Sequence, residues 1–146
     1  MGQQQLLLLV LATVIVGLAT VAGIQAFDEG QSQATQDALT QRALSIGNDL
    51  YSVAQKPSQL GGVTRGGDTK NAASAAGYDT DTDLSADGAG SNAQCDISTT
   101  NSGSDWQVSC SSTSDDSYTG SNEYVEVTVG SDGSEVTYIN GNDITT

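Results

Sequence analysis

From Leu6 to Phe27 the chain is almost unbroken leucine, valine, isoleucine and alanine, and from Asp28 the pattern turns from uniformly apolar to amphipathic. Leu39, Ala43, Ile46, Leu50 and Val53 recur at spacings of 4, 3, 4 and 3, which places them on one face of a helix. Gln36, Asp37, Gln41, Asn48 and Gln55 fall on the opposite face. Asp28 and Glu29 mark a water boundary, and Lys56 complements the negative end of the helix dipole. Pro57, the sole proline, stops the helix because it lacks an amide donor and restricts the residue before it. The pattern predicts one continuous helix within residues 1–56, ~54 residues and ~80 Å long. Its first half, 1–27, is apolar all round, and its second half is suited to lie against a globular domain.

Residues 57–93 read as a Gly/Asp-rich connecting loop, with Gly61-Gly62, Gly66-Gly67 and Asp87-Gly88-Ala89-Gly90 supplying turn chemistry. Residues 94–146 read as antiparallel β-sheet. In a first hairpin, Gln94 to Thr99 faces Asp105 to Cys110 across Asn101-Ser102-Gly103-Ser104. Pairing Cys95 with Cys110 also sets Ile97 opposite Val108 and Thr99 opposite Trp106, so one register aligns every apolar position. A second hairpin pairs Tyr124 to Val129 with Ser134 to Ile139 across Gly130-Ser131-Asp132-Gly133, matching Val127 to Val136 and Val125 to Tyr138. Val125, Val127 and Val129 face the core. The expected fold class is α+β: a long N-terminal helix packed through Leu39, Ala43, Ile46, Leu50 and Val53 on a small antiparallel sheet of about four strands.

The two cysteines, Cys95 and Cys110, have no histidine or CxxC partner spacing, so a disulfide is their simplest use. It implies an oxidising compartment outside the cytoplasm and contributes about 3 kcal/mol in the chain-entropy model. Charge is segregated: the formal net charge is −14, and from Asn71 onward there are 13 acids and no lysine or arginine. Such a surface repels nucleic acid, excluding that partner, and suits salty surroundings that screen charge of one sign.

Catalysis finds little support. The chain has no histidine, its cysteines are paired, and its carboxylates are scattered through turns, so neither a nucleophile-base pair nor an acid/base dyad can be picked out. No cofactor is expected. Asp79, Asp81 and Asp83 are spaced like the start of a calcium loop, yet Leu84 stands where the turn glycine belongs and Gly90 where the bidentate glutamate would be. These three are weak metal candidates beside the simpler reading of a solvated acidic loop. The seven aromatics are dispersed, as in ordinary packing.

The apolar segment has three candidate meanings. A cleaved secretory signal carries a basic n-region, whereas Met1-Gly2-Gln3-Gln4-Gln5 has no side-chain charge and Ile24-Gln25-Ala26 is a mediocre cleavage site. A permanent single-pass anchor fits in length, since 22 residues rise ~33 Å. It lacks a basic flank to orient it, the first positive side chain being Arg42. A self-packing rod is the third meaning, and Gly17, Ala19, Gly23 and Ala26 suit close backbone approach.

With Gly2-Gln3-Gln4-Gln5-Leu6-Leu7-Leu8-Leu9-Val10 opening an apolar half that continues into an amphipathic half and a β-domain, the chain resembles the type IV pilin superfamily. No basic leader is visible. With Met1 as first mature residue, the preferred register, Gln5 stands at the family's glutamate position; cleavage after Gly2 would put Leu7 there. The resemblance implies a structural subunit that polymerises with itself into an extracellular, cell-surface helical filament. Leu6, Leu7, Leu9, Val10, Val14, Leu18, Val21 and Phe27 would then lie in the filament core. It further implies transient insertion in the cytoplasmic membrane before assembly, and partners in pilus assembly machinery. The alternatives are a membrane-held pseudopilin of a secretion system and a single-pass anchored acidic surface-binding domain.

Overall fold

The computed structural model describes residues 2–100, 103–114, 120 and 122–144. Half of the expected Asn101-Ser102-Gly103-Ser104 turn, Tyr118 and the register question at Met1 therefore lie outside the described residues. The first element, α1, is an α-helix over Gly2–Ala54, 53 residues without a break. The chain divides into two units, residues 1–33 and residues 34–146.

The first unit is helix alone. Its interior lacks proline, and leucine and alanine favour the conformation. The hydroxyls of Thr13 and Thr20 donate to the carbonyls of Val10 and Gly17, each at 2.8 Å, which leaves neither hydroxyl without a partner in apolar surroundings.

The second unit begins within α1, where Leu39, Ala43, Ile46, Leu50 and Val53 are all buried. After Pro57 a 3-10 turn, Ser58–Leu60, is followed by a second helix, α2, over Thr69–Ala76. The 57–93 stretch read as a loop thus contains a helix. Asp68 caps it by accepting from the Asn71 amide at 3.0 Å, and Gly77 ends it in the left-handed conformation at φ 95°. Eight residues are too few for a helical period to stand out, but Asp and Gly at the two ends were the available signal.

Six strands form a simple antiparallel meander in the order β1-β2-β3-β4-β5-β6 among the described residues: β1 Leu84–Ser85, β2 Gln94–Thr99, β3 Trp106–Ser111, β4 Tyr124–Gly130, β5 Gly133–Ile139 and β6 Asn142–Asp143. The expectation of about four strands missed β1 and β6, which are two residues each and too short to carry an alternating pattern. The β2–β3 register is Cys95 to Cys110, Ile97 to Val108 and Thr99 to Trp106, and a disulfide joins Cys95 to Cys110 with their Cα atoms 4.0 Å apart.

In the second hairpin Val127 pairs with Val136, but Val125 pairs with Ile139 rather than Tyr138. A β-bulge between Glu126 and Val127 causes the shift, inserting Thr137 as the extra residue and setting Tyr138 opposite Glu126. The bulge lets both Val136 and Ile139 pack against the core while Tyr138 meets the Tyr124 ring edge-on, centroids 6.1 Å apart.

Val125, Val127 and Val129 point to the core together with Ile97, Val108 and Trp106. Leu39, Ala43, Ile46 and Leu50 of α1, Ala72, Ala73, the disulfide, and Leu84, Ala86, Ala89 and Ala93 of the connecting stretch join them. Gly47 permits the closeness of helix and sheet: a Cβ there would lie 3.0 Å from the Ser134 Cβ and 3.1 Å from a Val127 methyl. Two residues assigned to the outer helix face in fact touch β5 and the turn that follows it. Asn48 accepts from the Ser134 hydroxyl at 2.6 Å, and Gln36 accepts from the Asn140 side-chain amide at 3.4 Å.

Candidate functional site

The largest exposed apolar surface among the described residues is the first part of α1. Leu6, Leu7, Leu8, Leu9, Val10, Leu11, Val14, Ile15, Val16, Leu18, Val21, Ile24 and Phe27 are each between 51% and 72% exposed. They surround the helix rather than lining one face, so a single neighbouring surface cannot cover them. Among the described residues this is one helix long and apolar enough to cross a membrane. At Gly17 and Gly23 an added Cβ would meet nothing within 4 Å, which leaves two gaps in the side-chain wall where another helix can approach closely. Gln5, the polar residue at the head of this segment, is exposed.

The acidic segment 79–83 is organised differently from a cation loop. Asp81 accepts from the Thr69 hydroxyl at 2.5 Å, and its carbonyl accepts from the Ile97 amide at 2.7 Å. The Asp83 amide donates to the Asp96 carboxylate at 2.8 Å, and Asp83 itself is left-handed at φ 57°. No three of Asp79, Asp81, Asp83 and the other carboxylates converge into a set fit to hold a metal ion among the described residues. The segment instead covers the outer edge of β2, continuing into β1, where Leu84 pairs with Cys95.

Two tyrosines are tied to carboxylates. Tyr78 donates to Asp49 at 2.7 Å under the Arg42 guanidinium, 5.7 Å from the ring centroid. Burial first, then the hydrogen bond and charge of Asp49, push the Tyr78 hydroxyl up to about 12 despite the opposing pull of Arg42. Tyr124 donates to Glu126 at 2.6 Å, and burial with that carboxylate raises it too. Both hydroxyls stay protonated and act as clamps, fastening the connecting stretch to α1 and β4 to itself. Sequence reasoning did not find these pairs, because their partners lie 29 residues apart in one case and on one strand face in the other.

A shallow polar hollow lies by the β4–β5 turn, lined by Thr128, Thr137, Asp132, Glu135 and the Arg65–Asp105 ion pair at 2.9 Å. It holds no aromatic platform and no buried unpartnered group, so it offers solvation rather than a defined ligand.

The architecture is pilin-like: a long N-terminal apolar helix whose second half packs on an antiparallel sheet, with a disulfide in the C-terminal half. No protein-family model, curated protein or solved structure matches the chain.

Proposed function

We propose that the chain is a structural subunit, a pilin, of an extracellular type IV pilus-like helical filament. The observation that carries this reading is the exposure of thirteen large apolar side chains around one helix. At about 1.5 to 3 kcal/mol per buried side chain, leaving them in water costs more than ~10 kcal/mol, comparable with the whole stability of an ordinary domain. The segment must therefore be covered by lipid or by copies of itself. Back-bonding lets the Thr13 and Thr20 hydroxyls sit in either place with their donors satisfied. The gaps at Gly17 and Gly23 add close helix contacts that lipid cannot supply.

On this reading the subunit waits in the cytoplasmic membrane and is moved by assembly machinery into a helical homopolymer. Its apolar helices are bundled inside and its acidic β-domain coats the outside. A rotation and rise that never closes produces such an open filament. Its role is structural, with no catalytic step. Electron microscopy of sheared surface material tests it: abundant filaments containing this chain are expected. Recovery of the chain only with membranes would overturn the reading in favour of a pseudopilin or an anchored surface domain.

A further inference from the structure

The positive charges of the second unit are few and unevenly placed. Of the four basic side chains, Arg42 lies over Tyr78 and donates to the Ser85 carbonyl at 3.0 Å, and Arg65 pairs with Asp105. Lys70 shares a hollow with Asp79 and Asp81 of its own chain. Lys56 forms no salt bridge among the described residues and is exposed just past the end of α1. It lines a groove with Leu60, Val63, Asn71, Ser74 and Ala75. Neither this groove nor the adjoining one that Lys56 shares with Arg65 is lined by a carboxylate. On so acidic a domain that absence marks the place, and Leu60, 74% exposed, supplies an apolar knob there.

The complementary surface lies toward the other end of the α1 stripe. Asp37 is exposed on α1, and the loop bearing exposed Asp87 crosses beside it, since a Cβ on Gly88 would lie 3.7 Å from that of Ala38. From Asp37 to Ala54 the helix rises ~26 Å. Along α1 the carboxylates of Asp37 and Asp87 thus lie toward one end, and the carboxylate-free groove of Lys56 with its apolar knob lies at the other.

We propose that the Lys56–Leu60 groove of one copy receives the Asp37–Asp87 surface of the next. The inference rests on the filament reading and names the contact between its outer domains. A symmetric contact would set lysine against lysine or carboxylate against carboxylate, and like charges cost affinity where opposite ones steer it. Of these three pairings the head-to-tail one matches signs, and a contact between two different surfaces repeats without closing.

Full-length chain carrying both Lys56→Cys and Asp87→Cys tests this in assembled filaments under mild oxidation. The two positions are too far apart within a chain to be bridged, and the native Cys95–Cys110 pair is buried. A ladder of covalent oligomers is expected, with each single variant remaining monomeric. Normal filaments that yield no ladder would overturn the contact while leaving the filament reading standing, as would a dimer from Lys56→Cys alone. A chain that forms no filaments even unmutated would bring down both. A charge exchange gives the second arm: Lys56→Glu should cut filament yield several-fold at moderate salt, and adding Asp87→Lys should restore it. Unchanged yield in Lys56→Glu counts against the contact.

Discussion

The indole nitrogen of Trp106, on β3, donates to the carbonyl of Gly67 at 3.1 Å. This bond ties the most voluminous fully buried side chain of the sheet to the stretch that connects helix and sheet. Next to it Gly66, at φ 69°, approaches so close to Gly103 that an added Cβ would fall 2.1 Å from the Gly103 carbonyl oxygen. Trp106→Phe should cost about 1 to 3 kcal/mol, from the lost bond and the carbonyl left unpaired, and Trp106→Ala about 3 to 5. Gly66→Ala should be severely destabilising, since backbone stands in the way. Denaturant melts of the three variants check the order.

At Gly47 the helix and sheet meet with no room for branching, and the outcome depends on size. Gly47→Ala gains about 1 kcal/mol of helix propensity against contacts of 3.0 and 3.1 Å, so it should leave stability nearly unchanged. Gly47→Leu should lose about 1 to 3 kcal/mol through overpacking. Equal melting temperatures for the two would refute this account of the close approach.

The register of the first hairpin was readable because cysteines, apolar residues and turn chemistry all agree on it. The second was readable only as far as Val127 and Val136, since a bulge is a one-residue event that leaves alternation intact on either side. Short α2, β1 and β6 exist through capping and pairing with distant neighbours, which no local period reports. The apolar segment was legible as a site because its pattern is long and uniform. The Asp79–Asp83 spacing left a cation loop as a weak alternative to a solvated acidic loop, and neither reading showed that the segment covers the edge of β2, because spacing carries no information about long-range pairing.

The Tyr78–Asp49 bond makes an alkaline signature. A hydroxyl whose pKa rises from 10.0 unfolded to about 12 folded contributes stability that is complete below pH 10 and is lost as pH climbs through about 12. Asp49→Asn removes the acceptor charge, so the Tyr78 titration followed by tyrosinate absorbance should move down toward its ordinary value. An unmoved titration would show that Asp49 has no part in it.

Aspartate at the apolar segment should separate assembly from folding. Val14→Asp and Leu18→Asp should each abolish filaments, because a carboxylate there has no partner in lipid or in a helix bundle. The unit 34–146 should still give a folded circular-dichroism spectrum. A fragment beginning after Pro57 should not, since it lacks the buried stripe from Leu39 to Val53. Filaments persisting in both full-length variants would contradict a buried role for these positions.

With 16 acidic side chains against four basic ones in residues 34–146, this unit should melt at a lower temperature as ionic strength falls, because self-repulsion is no longer screened. A melting temperature indifferent to salt would mean that the carboxylates are too dispersed to matter.

Both flanks of the sheet are blunted. On one side β1 and the aspartate-rich segment before it occupy the margin of β2, the Ile97 amide being taken by the Asp81 carbonyl. On the other, β6 and the Ile144 amide, which donates to Thr137 at 3.0 Å, shield the end of β5. Open strand margins are templates for amyloid-type zipping. If copies of this chain are crowded together in a filament, these covers lower the risk of edge-to-edge pairing and leave the helices as the surface through which they assemble.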